Sequence, residues 1–256
     1  MKASLFCTAH YIGAAPHDIW PLSGEYYSSD AAVRSMQTTF DQFRCADEFG
    51  FDWVTVAEHH YSGFSLTPNP MVMAGALSQL VRRAKIAVLG PTVPILNPVR
   101  VAEEFAMLDT TSGGRVVAGM MRGTPNEYVT YNINPAESRE RFVEALHLIR
   151  RAWTETRPFG WLGRYYQYRT ISIWPRPMQQ PHPPLYRPAR ARRPGSSRRR
   201  TISASALPSQ PCRSRRLRCS TTAPAPAMRV GSPRRRTSST APCSMSPTRT
   251  TRRLPT

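Results

Sequence analysis

No aspartate, glutamate, lysine, asparagine, histidine, phenylalanine, tryptophan or tyrosine occurs after residue 186 of this 256-residue chain. All 16 acidic residues lie earlier, the last being Glu155, while 18 of the 35 basic residues fall after 186 and every one is arginine. The formal net charge of +19 therefore averages two unlike parts. Residues 1–186 carry 17 basic against 16 acidic groups, and residues 187–256 carry +18. A segment so poor in apolar and aromatic residues cannot bury enough surface to offset the entropy of ordering its backbone, so disorder is expected there.

Other shortages narrow the function classes. The five cysteines, at 7, 45, 212, 219 and 243, show no CxxC spacing and no nearby histidine pair, which argues against a zinc site or a disulfide framework. No run approaches the roughly 20 apolar residues of a membrane span. The opening "MKASLFCTAHYIG" is too short in apolar residues for a signal peptide. A reducing cytoplasm is the expected location. No GxGxxG or P-loop follows any candidate strand, which disfavours the nucleotide-binding sheets that depend on them.

What residues 1–186 do contain is a cycle. "ASLFCTAH" reads as a strand and is followed by a loop of about twenty residues, longer than most connections in compact domains. Val33, Met36, Phe40 and Phe43 then recur at helical spacing, and Gly50 stands where a helix-ending glycine would. "FDWVTVAEHH" predicts the second strand, "NPMVMAGALSQLVRRA" a helix, "KIAVLGPTVP" the third strand and "NPVRVAEEFAMLDTTSGG" a helix. "RVVAGMM" predicts the fourth strand. "NPAESRERFVEALHLIRRAWTE" predicts a helix with Asn134 as N-cap, Pro135 in its first turn, Glu137 closing a capping box, and a stripe of Phe142, Leu146, Ile149 and Trp153. "PRPMQQPHPPLY" approaches a fifth strand. Four β/α units with strands apolar on both faces predict an α/β fold with a parallel sheet covered by helices, about half of a (β/α)8 barrel.

In such a barrel the chemistry sits at the carboxyl ends of the strands. Period-two alternation places Thr55, Ala57 and His59 on one face of the second strand, and Val54, Val56 and Glu58 on the other. His59 is thereby aimed into the mouth and His60 elsewhere. His59 is either a hydrogen-bonded residue at a strand end or a group that handles protons. Arg122, beside Gly123, is either a phosphate-holding fork of donors or a solvated loop arginine. Gly90 permits close approach of a planar ligand, or is a turn glycine.

Taken together, "FGFDWVTVAEHHYSGFSLTPNP", "LNPVRVAEEFAMLDTTSGGRVVAGMMRG", "ESRERFVEALHLIRRAW" and "YYQYRTISIWPRPMQQPHPPLY" resemble the luciferase-like flavin-dependent monooxygenases across residues 1–186. The resemblance implies that His59 stands beside the flavin ring and supports its oxygen chemistry. It implies a non-prolyl cis peptide at Leu89–Gly90 beneath the ring and places the phosphate-binding arginine at Arg122. Leu89, Gly90, Thr92, Arg122 and Gly123 become the cofactor-binding candidates, with no metal. Met121 stands where the light-emitting luciferase subunit has a reactive cysteine, so bioluminescence is not implied.

The implied cofactor is reduced FMN supplied by a separate flavin reductase. The implied co-substrates are dioxygen and a small organic molecule such as an aldehyde or ketone, and the family is often dimeric. "PNEY" around Asn126 and Glu127 is mildly reminiscent of the deazaflavin-dependent oxidoreductases that share this barrel, which makes deazaflavin the alternative cofactor. In the family the chain after "PHPPLY" enters a fifth strand whose loop supplies more of the phosphate site. Here it continues "RPARARRPGSSRRR". Residues 187–256 lack the lysine and stacking aromatics of basic nucleic-acid arms, so only non-specific adhesion to nucleic acid is expected. Their restriction to amino acids with GC-rich codons fits a reading frame lost near residue 187.

Overall fold

A computed structural model describes residues 3–16 and 18–187 of the chain. The disorder, lost-frame and nucleic-acid readings of the arginine-rich segment fall, from residue 188 onward, outside the described residues. Within them strand and helix alternate: β1 Ser4–Phe6, α1 Ser29–Glu48, β2 Trp53–Val56, α2 Pro70–Leu80, β3 Lys85–Thr92, α3 Pro98–Thr111 and β4 Val116–Met121. A short α4, Pro125–Thr130, precedes α5, Ser138–Thr154. β5 (Phe159–Leu162) and β6 (Gln167–Ile171) form an antiparallel hairpin of their own, and β7 (Leu185–Tyr186) closes the described part. β1, β2, β3, β4 and β7 lie side by side in that order, and each pairing is parallel.

One face of this sheet carries Val54, Val56, Ile86, Val88, Val116 and Ala118. All are fully buried in a core shared with Phe43 of α1, Leu77 of α2, Phe105 of α3 and Ile149 of α5. Trp153 meets Phe105 edge to face at 6.0 Å and donates its indole N–H to the Ala102 carbonyl at 2.9 Å, so its one polar group is satisfied within the core. The opposite face carries Phe6, Trp53, Thr55, Ala87, Val117 and Tyr186, as the cross-strand register dictates. Trp53 and Tyr186 touch at 5.6 Å although β3 and β4 separate their strands. That contact is possible only because the sheet curls toward this face, as the wall of a barrel does.

Boundaries differ from expectation where a distant side chain intervenes. Val33 is exposed, and α1 instead buries Ser35, Thr39, Phe43 and Ala46. The two hydroxyls tolerate burial because each donates to the carbonyl four residues back, at 2.8 Å. The "VRRA" stretch does not extend α2. The Asp47 carboxylate at the end of α1 draws in the backbone N–H groups of Arg82, Arg83 and Ala84 at 2.8, 2.9 and 2.6 Å, and the chain turns there into β3.

Asn134 caps only a 3-10 turn at Pro135–Glu137, through the Ala136 N–H at 3.0 Å. Glu137 pairs with Arg141 at 2.9 Å instead of closing a box, and α5 begins at Ser138. The β/α cycle does not predict the β5–β6 hairpin. Its turn is held by Glu144 of α5, which accepts the N–H groups of Arg164, Tyr165 and Tyr166 at 3.1, 3.0 and 3.1 Å.

Burial alone would raise the Asp47 carboxyl pKa, but the three amide donors and the charge of Arg83 outweigh it and hold the group below its ordinary value of 3.8. A carboxyl held low contributes stability above its ordinary value and loses that contribution as the pH falls beneath it. Asp47→Ala is expected to cost about 3 kcal/mol, since three amides lose a charged acceptor. Asp47→Asn is expected to flatten the acid limb of stability. Urea unfolding between pH 7 and pH 3 measures both.

Candidate active site

Because every strand of the curled sheet runs the same way, the carboxyl ends of β1 to β4 share one rim. His59 lies three residues past β2, and its N–H donates to the Thr67 carbonyl at 3.3 Å. The Thr67 hydroxyl in turn donates to the Ala57 carbonyl at 2.8 Å, which braces the turn carrying the histidine. The His59 side chain is about one-third exposed (36%) and packs edge to face on Phe64 at 5.5 Å.

The partner of His59 comes from a helix that periodicity does not announce. Pro125 opens α4, and the Glu127 carboxylate reaches back to accept the Thr124 N–H at 2.6 Å and the Thr124 hydroxyl. That anchor fixes Glu127 as a buried residue with its second oxygen, Oε1, 3.8 Å from His59 Nδ1. The two groups are within reach of an ion pair and beyond the distance of a direct hydrogen bond. The signal for Glu127 in the sequence is the Thr-Pro-x-Glu run at the end of β4, a capping pattern rather than an apolar stripe.

Glu58 and His60 face the other way, as alternation requires. Both are buried, and His60 Nε2 stands 3.3 Å from Glu58 Oε1. They floor a separate cleft of about 290 Å³ between the amino ends of α2 and α3. Tyr131 rims this cleft, its hydroxyl pKa raised by burial and by the nearby Glu58 and Tyr61.

The resemblance implied a cis bond at Leu89–Gly90. The structure makes that bond trans; among the described residues, cis bonds occur only before Pro21, Pro175 and Pro181. β3 takes up the irregularity differently, by a register shift against β4 between Leu89 and Thr92. Glu58 Oε2 accepts the Thr92 N–H at 3.4 Å within this shifted stretch. A Cβ on Gly90 would stand 2.7 Å from Pro70 Cγ and 3.1 Å from the Ala57 carbonyl carbon. Close packing of β3 on the start of α2 therefore explains the glycine.

Thr92 is buried behind Gly123, whose φ of 88° lies in the left-handed region and whose missing Cβ leaves room for the Thr92 methyl. Arg122, between Met121 and Gly123, is exposed, and its guanidinium makes no hydrogen bond or ion pair among the described residues. Its carbonyl accepts the Tyr128 hydroxyl, which ties the arginine's backbone to α4. The rim thus brings His59, Glu127, Arg122 and Gly123 to one end of the sheet, with Thr92 paired to Met121 at the ends of β3 and β4, while Leu89 and Gly90 lie deeper in β3.

In the long loop after β1, Tyr11 is buried; its hydroxyl donates to the Tyr26 carbonyl at 2.9 Å and accepts the Ser28 N–H at 2.7 Å. Trp20 donates to the His60 carbonyl at 3.0 Å. These two rings pack the rim. The described residues hold no cluster of three or more His, Cys, Asp or Glu side chains that would bind a metal ion, and no helix long and apolar enough to cross a membrane.

An imidazole and a carboxylate 3.8 Å apart, with an exposed guanidinium, thus stand at the carboxyl rim of a curled parallel sheet, the end at which (β/α) barrels place their sites. Residues 15–193 match the luciferase-like monooxygenase family, and the chain belongs to it. It is 27% identical over 148 residues to the oxygenase component of a flavin-dependent trigonelline monooxygenase from Acinetobacter baylyi, covering 57% of this chain and 41% of that protein.

In fold it is similar to the monooxygenase RslO1 from Streptomyces bottropensis, with a TM-score of 0.62 and 25% identity over 73% of this chain and 53% of that one. It is also similar to an F420-dependent secondary alcohol dehydrogenase, with a TM-score of 0.55 and 24% identity over 73% of this chain and 51% of that one, a likeness of fold alone. The chain spans less than half the length of the curated relatives it matches first, 46% and 45%.

Gly90→Ala is expected to cost about 2 kcal/mol of unfolding free energy, because the added methyl meets a proline ring and a backbone carbon that cannot swing aside. The urea midpoint measures this, and a midpoint equal to that of the unaltered chain would contradict the packing role.

Proposed function

We propose that this chain carries the histidine-bearing half of a flavin-dependent monooxygenase acting on a small organic substrate with dioxygen, with FMN delivered reduced by a separate reductase. The observation that carries the reading is the His59–Glu127 pair, 3.8 Å apart on the carboxyl rim in a member of the luciferase-like family. The residues present fit part of such a cofactor. Arg122 offers a planar fork of donors suited to a phosphate, its backbone steadied by Tyr128 and its neighbour Gly123. Leu89 and Met121, both half-buried, give the rim an apolar floor. When bound, reduced flavin supplies the electrons that activate dioxygen.

The chain's own contribution is position and proton handling. Glu127 Oε1 stands 3.8 Å from Nδ1, and Nε2 is the nitrogen left to exchange a proton with a molecule in the mouth. The packed loop bearing Tyr11 and Trp20 restricts water on that side. A second reading, with a deazaflavin in place of FMN and His59 and Glu127 passing protons during hydride transfer, draws on the same pair.

With β7 only two residues long, the cradle on the far side of the phosphate is not supplied by residues up to 187. We therefore expect this polypeptide to bind oxidised and reduced FMN weakly, with Kd above about 1 µM. Arg122→Ala should weaken that binding further, by about tenfold, which corresponds to roughly 1.4 kcal/mol. Equilibrium titration with FMN and, in parallel, with a deazaflavin measures both. Submicromolar FMN binding would overturn the proposed loss, and a preference for the deazaflavin would select the second reading.

A further inference from the structure

The cleft of about 290 Å³ between the amino ends of α2 and α3 is lined by neither His59, Glu127 nor Arg122. Its size lies at the lower end for small-molecule sites, about 300–1,000 Å³. Its floor is a pair of buried ionisable groups. The Glu58 and His60 side chains are 3% and 5% exposed, and Glu58 Oε1 stands 3.3 Å from His60 Nε2. An ionised carboxylate can only accept, so the nitrogen that faces it, Nε2, carries the proton.

Nδ1, on the far side of that ring, has no hydrogen-bond partner among the described residues. It is not sealed in either. Among the described residues, the sealed side-chain N or O atom left without a partner is the Tyr166 hydroxyl oxygen alone. His60 lines the cleft and is otherwise covered, with the Tyr131 ring edge to face at 5.1 Å, so the surface left to Nδ1 opens into the cleft.

The lip is rich in donors. Asn69 Oδ1 accepts the Met71 and Val72 N–H groups at 2.9 and 3.2 Å, and Asn97 Oδ1 accepts those of Val99 and Arg100 at 3.0 and 3.2 Å. Both side-chain NH2 groups are then without a partner among the described residues. Arg100 donates Nε to Glu104 at 3.0 Å, which offsets that carboxylate and leaves the two terminal guanidinium nitrogens over. The amino ends of two helices add partial positive charge. Met71, Pro91, Leu96 and Val101 supply an apolar wall.

We propose that this cleft binds a small organic carboxylate, its oxygens taking the donors of Asn69, Asn97 and a protonated His60 and its carbon body lying on the apolar wall. A neutral imidazole would present a lone pair at Nδ1 and repel the anion. A protonated one presents a donor there, with Glu58 stabilising the charge from the other side. Binding therefore takes up a proton and tightens as the pH falls. The titratable and charged groups around His60 are Glu58, Tyr61 and Tyr131, with Arg100 and Glu104 at the lip. A monoanion suits the site better than a phosphate dianion, because Glu58 and Glu104 already place two carboxylates there.

Titration of the full-length chain with benzoate, followed by calorimetry and by the histidine ring signals in NMR, tests the proposal independently of flavin. Salt at about 0.3 M screens the 18 arginines after residue 186. Benzoate should shift the ring signal of His60 and leave that of His59 in place, the two being assigned from His60→Gln and His59→Gln chains. Affinity should rise about tenfold between about pH 8 and about pH 6, the interval around the ordinary histidine pKa. Benzyl alcohol, with the same ring and no charge, should bind about tenfold more weakly than benzoate at the lower pH. Asn69→Asp and Asn97→Asp keep the oxygen that caps each helix and put a repelling oxygen in place of the NH2 group. Each should weaken benzoate about tenfold with Tm unchanged. Binding that depends on neither pH nor these substitutions reports the arginines and overturns the proposal. So does the absence of saturation below about 10 mM, or a benzoate shift of His59 in place of His60.

Discussion

The parallel ladder from β1 to β7 is the constraint on which the rest depends. Parallel strands must be joined by crossovers, and each crossover here is a helix that returns the chain to the same end of the sheet. That geometry sends every strand's carboxyl end to one rim. It explains why His59, the bulged end of β3 and Arg122, separated by some sixty residues of sequence, meet at one place. It also explains why the helix-facing strand residues are uniformly aliphatic, since both faces of a parallel sheet are covered wherever the barrel is built.

Two buried carboxylates divide the labour at that rim. Glu127, held by the first turn of α4, faces His59 on the concave side. Glu58, one residue before His59, faces the helices, pairs with His60 and takes the Thr92 amide. Adjacent histidines thus serve different surroundings because successive side chains of an extended segment point to opposite sides. The first pair stands at the carboxyl rim, and Glu58 links the ends of β2 and β3 beneath it.

The same architecture leaves a physical imbalance. A sheet curled enough to bring Trp53 against Tyr186 is shaped for a closed barrel, yet its described strands stop at a two-residue β7. Among the described residues the outer edges of β1 and β7 have no strand partner, and Phe6 and Tyr186 beside them are exposed.

The amino-acid sequence by itself determined the order of strands and helices, the covered parallel sheet, the stripe of α5 and the opposite facing of Glu58 and His59. Each of these is a matter of period and turn chemistry within a dozen residues. It did not disclose where α2 ends, the trans Leu89–Gly90 bond, the helix that carries Glu127, or the β5–β6 hairpin. Asp47 stops α2 from 35 residues upstream, and Glu144 anchors the hairpin turn from 20 residues upstream. Pro70 at the start of α2 occupies the space a Cβ on Gly90 would need, and Glu127 meets His59 only when β2 and β4 come to share a rim. Local patterns record what a segment prefers. Only packing between segments distant in sequence decides which carboxylate meets which amide or imidazole.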